Sequence, residues 1–120
     1  MRAEMINSIL GELNGSSTDI EASGVVSTDG LMIASQLSDG IDEDRVGAMS
    51  AAMLSLGDRT AQELGRGKLE QVLIKGDNGY ILMTYAGSDA VVTVLAKPNA
   101  RLGLIFLDVK RAANDIAKII

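Results

Sequence analysis

Three short stretches carry residue types that could do chemistry. Gly65-Arg66-Gly67-Lys68 has the glycines and lysine of a phosphate cradle, and Asp42-Glu43-Asp44 sets three carboxylates together as a hard cation would require. Asp77-Asn78-Gly79 resembles part of a calcium loop. Each fails on its surroundings. A phosphate loop joins a strand to a following helix and ends in Lys-Ser/Thr; here the run follows a helical pattern, precedes a strand, and has Leu69 in place of the hydroxyl. It reads as a helix stop. Asp42-Glu43-Asp44 opens a long helical pattern, where carboxylates offset the partial positive charge of the helix start and Asp42 is a natural N-cap. The Asp77 run lacks the later oxygen ligands and the closing Glu, and reads as a hairpin turn.

Cysteine and histidine are both absent, which removes thiolate nucleophiles, Ser-His-Asp triads and zinc sites built on imidazole or sulfur. No pair stands out for acid–base work among 16 acidic residues. Arg45, Arg59 and Arg66 could each lend a guanidinium to a partner's phosphoryl-transfer site, but exposed arginines more often solubilise or pair with carboxylates. No catalytic residue, cofactor or metal is expected. The chain reads as a binding protein.

The elements that position these residues form one unit. A length of 120 residues with 47% hydrophobic and 22% charged residues is that of one folded domain, here residues 1–120. Tyr80, Tyr85 and Phe106 are the aromatic residues, and a net charge of −5 gives no basic footprint, so nucleic acid is not an expected partner. The longest uncharged stretch, Val46 to Gly57, has 12 residues, short of the roughly 20 that cross a bilayer. No membrane insertion and a cytoplasmic location are expected.

Apolar spacing predicts a helix over Met1–Asn14, ended by Asn14-Gly15-Ser16-Ser17. Strands Ile20–Ser27 and Leu31–Gln36 flank Thr28-Asp29-Gly30, a strong hairpin signal; Gly24 inside the first marks a bulge or a close neighbour. A long helix runs from the Asp42 cap to about Leu64. Strands Leu69–Lys75, Tyr80–Ala86 and Ala90–Ala96 form a meander, with Leu69–Lys75 as an edge. Asn99 is placed to cap a last helix carrying the stripe Leu102, Ile105, Phe106, Val109, Ala113, Ile116 and Ile120. The last two strands lack polar alternation, so the sheet should be covered on both faces, by two helices on one and one on the other. The fold class is α/β (α+β).

The middle helix is the informative one. At 100° per residue, Val46, Met49, Met53, Leu56, Thr60 and Leu64 fall within an arc of about 80° and are expected to face the sheet. The opposite side holds Ala48, Ala51, Ala52 and Ser55, with no charge between Arg45 and Asp58. Alanines there could simply favour helix on an exposed face. The preferred reading is a surface on which small side chains let a second helix approach, most simply in a two-fold homodimer. Leu69–Lys75 could extend the sheet across that dimer, or be shielded by Lys68, Glu70 and Lys75.

Gly24-Val-Val-Ser-Thr-Asp-Gly-Leu-Met-Ile-Ala-Ser35, the alanine-rich middle helix and Val91-Val-Thr-Val-Leu-Ala-Lys-Pro-Asn-Ala-Arg-Leu-Gly103 occur in this order. In that combination the chain resembles the roadblock family, which includes roadblock-type dynein light chains and MglB-like bacterial and archaeal proteins. The resemblance implies a five-stranded antiparallel sheet with the middle helix on one face and the terminal helices on the other, as in profilin-like folds. It implies a homodimer through the middle helix and third strand, which would draw on Ala48, Ala51, Ala52, Ser55, Arg59, Leu69, Gln71 and Leu73. It further implies a regulator or scaffold of a small Ras-like GTPase that rearranges the GTPase's own residues without donating an arginine. Asp42, Arg45, Asp58 and Gln62 would border the GTPase-facing surface. The alternatives are a structural dimerisation module of a motor or signalling complex and, more remotely, a small-molecule sensor.

Overall fold

The computed structural model describes residues 2–120. Its elements are α1 (Arg2–Ser16), β1 (Ile20–Ser27), β2 (Met32–Gln36), α2 (Glu43–Glu63), β3 (Gln71–Gly76), β4 (Gly79–Ala86), β5 (Ala90–Ala96) and α3 (Leu102–Ala117). The order is the one expected; Met1, assigned to the first helix from sequence, lies outside the described residues. The strands form one antiparallel sheet in the order β2-β1-β5-β4-β3, which puts β3 at an edge.

The missing alternation in β5 has its explanation here. The strand lies mid-sheet with six of its seven residues buried, because both faces are covered. On one face Ile6, Leu10 and Leu13 of α1 and Ile105, Val109 and Ile116 of α3 pack on Val25, Leu82, Val92 and Val94. On the other, Leu54 of α2 packs with Val26, Met83 and Val91. The neighbours Val25 and Val26, and likewise Val91 and Val92, therefore serve opposite layers.

Three local details depart from or refine the sequence reading. Asn14 does not stop α1, which continues to Ser16; its amide instead ties the helix to the sheet, donating to the Gln36 carbonyl at 3.1 Å and accepting from Ser23 Oγ at 2.6 Å. Gly24 leaves room for a neighbour, since a Cβ there would sit 3.0 Å from the Met32 sulfur, while the β1–β2 register slips at Val25/Val26. Asn99 does not cap α3. A turn closed by Ala100 N–H to the Lys97 carbonyl comes first, and the cap position is Arg101. There a distant carboxylate does the capping: Asp19 accepts from the Arg101 backbone N–H at 3.1 Å and from its Nε at 3.2 Å.

A tight contact joins α2 to the β1–β2 turn. Gly30 has φ +94°, and a Cβ on Gly47 would lie 2.5 Å from its carbonyl oxygen. Gly47→Ala should therefore push the helix away, and the overpacking should outweigh the gain in helix propensity. We expect a net loss of about 1–3 kcal/mol, read from urea denaturation midpoints. The Arg101 backbone N–H, followed by its side chain, holds the Asp19 carboxyl below its ordinary value. A lowered folded-state value means stabilisation that is present above the unfolded value of about 3.9 and disappears as pH falls through the folded one. Thermal melts of Asp19→Ala should thus lie below wild type near neutral pH, with the gap closing in acid.

Candidate functional site

The sheet-facing side of α2 is its small side. Gly47, Ser50 and Leu54 are the buried residues of the helix, and Gly57 meets Leu69 and Val72, where a Cβ would come within 3.1 and 3.2 Å. Against the sequence expectation, the stripe of large side chains is turned about 100° away from the sheet. Met49, Leu56 and Leu64 are 58%, 61% and 67% exposed, and Val46 and Met53 are only half-buried. Helical periodicity locates an apolar stripe but not the neighbour it serves. Gly30 under Gly47 forces contact through the smallest residues and rolls the larger ones aside.

This flank overlooks β3. Leu56, Thr60 and Leu64 form one wall of an apolar groove of about 390 Å³, and Leu69, Gln71 and Val72 form the other. The outer edge of β3 pairs with no strand among the described residues. Of the residues expected in a dimer contact, Ala48, Ala52, Ser55 and Arg59 are exposed on the side of α2 away from the sheet. Ala51 is half-covered by the Gly30 turn. Gln71 and Leu73 lie on the edge strand, with half-buried Leu69 just before it. Arg59 is held along the helix by Glu63 at 3.0 Å, an exposed ion pair.

The four charged or polar residues expected to border a partner surface fall into two groups. Asp42 caps α2, accepting from the backbone N–H groups of Asp44 and Arg45 at 3.0 and 3.3 Å. Asp42 and Arg45 lie at the mouth of a cavity of about 280 Å³ between Ile41, Val46 and Met49 and the sheet residues Ile81 and Leu95. Asp58 and Gln62, bonded at 3.3 Å, lie beyond them by 13 residues, about 20 Å along the helix. They share a groove with Lys68, Tyr85 and Ser88. Burial, with the Asp58 carboxylate adding to it, raises the Tyr85 phenol above its ordinary value. One chain does not bring the two groups together.

Sequence reading missed the exposed methionine and leucines and the polar contact beneath them. Ser50 Oγ and Thr93 Oγ1 lie 2.8 Å apart, both buried, on the wall of the smaller cavity. The available signal was a second stripe of small residues, Gly47, Ser50, Gly57 and Ala61, which is as good a sheet contact as the bulky one.

Gly65 and Gly67 have φ +71° and +83°, and Arg66 N–H closes back on the Ala61 carbonyl at 2.7 Å, a helix terminus. No helix among the described residues is long and apolar enough to cross a membrane, and no group of metal-ligating side chains is placed to hold an ion.

The family model for the Roadblock/LC7 domain matches residues 6–96. The chain belongs to that family. An uncharacterized protein of Methanocaldococcus jannaschii, MJ0310, is 46% identical over 112 residues, covering 93% of this chain and 96% of its own length. Among solved structures, Myxococcus xanthus MglB superposes with a TM-score of 0.89 at 23% identity, covering 97% of this chain and 87% of that one. The gliding protein MglB of Thermus thermophilus gives 0.87 at 19%, covering 98% and 90%. These likenesses establish the roadblock fold: three helices about a five-stranded antiparallel sheet, with α2 alone on its face.

In this roadblock domain the Ser50–Thr93 pair provides a clean energetic test. Ser50→Ala should cost about 1–3 kcal/mol by leaving a buried hydroxyl without its partner. Adding Thr93→Val should cost much less than a second such loss, because the orphan is removed too. Urea unfolding of both single variants and the double variant measures the coupling.

Proposed function

We propose that the protein is a non-enzymatic homodimer that binds a small Ras-like GTPase and regulates or scaffolds its cycle in the cytoplasm. The observation that carries this reading is the uncovered apolar flank of α2, Met49, Leu56 and Leu64, continuous with the open edge of β3. A lone chain leaves that surface wet; contiguous exposed apolar patches of this kind mark association sites.

In the proposed dimer a two-fold axis runs beside β3, the two β3 edges pair, and the two α2 helices lie antiparallel with their bulky flanks in contact. Sheet pairing satisfies the edge N–H and C=O groups, and the helix contact removes the exposed leucines from water. In this arrangement Leu69, Gln71 and Leu73 would line the seam, a reading supported by their location on or just before the open edge strand. Ala48, Ala52, Ser55 and Arg59 then border the helix pair on its outer side, with Ala51 nearer the Gly30 turn. The antiparallel arrangement also addresses the separation along one helix. It sets Asp42 and Arg45 of one copy toward the end of the other copy's helix that carries Asp58 and Gln62.

Such a platform, flat and made of small side chains with charged ends, suits a protein partner better than a metabolite. Family membership supports a GTPase as that partner. Any effect on the GTPase is limited by the platform's differential affinity for its conformations. Roadblock-type dynein light chains keep a second reading open, a structural dimerisation module.

Leu56→Arg places a charge in the seam while altering a side chain already exposed in the monomer. Sedimentation equilibrium should show the dimer dissociation constant raised by about 30-fold or more, with the monomer still folded by circular dichroism. Calorimetric titration against the small Ras-like GTPases of the same genome, loaded with GDP or GTP, should show binding that Leu56→Arg abolishes. No binding in either state removes the regulatory reading. Tight binding with unchanged hydrolysis and exchange favours the structural one.

A further inference from the structure

We propose that the sheet face opposite α2 carries a slot for one amphipathic helix of a partner protein, with acidic residues along its flanks. The inference rests on the dimer reading above. α1 packs over β1 and β2, and α3 packs over β4 and β5, so β3 is the strand left bare on this face. Val72 and Ile74 turn toward α2, which leaves Gln71, Leu73 and Lys75 on the opposite side. Leu73 sits directly across from Leu82, a member of the core beneath α1 and α3, yet Leu73 is 42% exposed. Between the strand and α3 runs a groove of about 500 Å³, with Phe106, Leu107 and Lys110 on the helix side and Gln71 and Thr84 on the sheet side. Leu107 is 61% exposed there.

Joining β3 to its counterpart in a second copy sets two bare strands side by side between two α3 helices. Two strand spacings of about 4.8 Å give a width close to the roughly 10 Å of one helix. The occupant's class follows from the floor. Pairing has used the edge hydrogen-bonding groups, so an extended segment finds nothing to bond to, whereas a helix needs only the apolar contact. Leu73 of each copy supplies that contact. Lys110 and Glu70 line the groove of each copy and Lys75 shares the strand face of Leu73, so lysines outnumber the carboxylate two to one there and the flanks of the guest should be acidic. Because the slot lies on the two-fold axis, it holds one helix for every two chains.

The probe is a fluorescein-labelled synthetic peptide of about 18 residues, with leucines at i, i+3, i+4 and i+7 and glutamates between them. It is titrated with the full chain by fluorescence anisotropy, beside a peptide of equal composition whose leucines alternate. The expected result is saturation at one helical peptide per two chains and binding at least about tenfold weaker for the alternating peptide. A comparable loss is expected with either Leu107→Glu or Lys110→Glu, both exposed positions whose variants are checked for an intact dimer by sedimentation. A dimer without saturable binding, or binding that ignores both variants, overturns the slot and leaves the dimer standing. A chain that sediments as a monomer overturns the dimer reading, and the slot falls with it.

Discussion

The approach of Gly47 to the Gly30 carbonyl decides how the α2 face is built. No side chain fits between helix and turn at that point, so the N-terminal part of α2 is pressed onto the β1–β2 end of the sheet. From there the helix crosses toward β3, where Gly57 rests on Leu69 and Val72. Contact along this line is made by glycines, Ser50 and Leu54, and the broad side chains are displaced sideways. A helix that satisfied its own sheet with Met49 and Leu56 would have nothing apolar left to offer another molecule. The glycine contact thus leaves the broad side chains of a covering helix open to solvent.

Most of the architecture was legible in the residues. Asp29-Gly30 and Asn78-Gly79 mark turns whose conformation only glycine accepts cheaply, and β5 is apolar on both faces because it is central. Asp42 was recognisable as a cap because its side chain bonds to amides two and three residues ahead, a strictly local interaction. What failed was non-local. Asn14 and Asn99 have the right chemistry for helix ends, but Ser23 and Gln36 claim the first and Asp19 replaces the second. None of these pairings leaves a trace in nearby sequence. The same holds for the rotation of α2, since two stripes on one helix competed for one sheet and only the turn across from Gly47 decided between them. Of the site residues, the exposure of the alanine side was legible, and that of the methionine and leucines was not.

Met49, Leu56 and Leu64 of α2 and Leu73 of β3 are large apolar side chains left open to solvent. Burying them in a second copy would couple assembly to stability by mass action, so that dilution weakens the fold as well as the complex. Such a protein is most stable when most abundant.

The strand order carries a consequence for how the molecule comes into being. β1 is flanked by β2 and β5, and Val25 finds Val92 only after most of the chain has been made. On the ribosome the first hairpin therefore emerges with its inner edge unclaimed, while α1 waits for α3 to complete the layer they share. Until β5 and α3 have been made, the newborn chain depends on nothing else reaching that edge first.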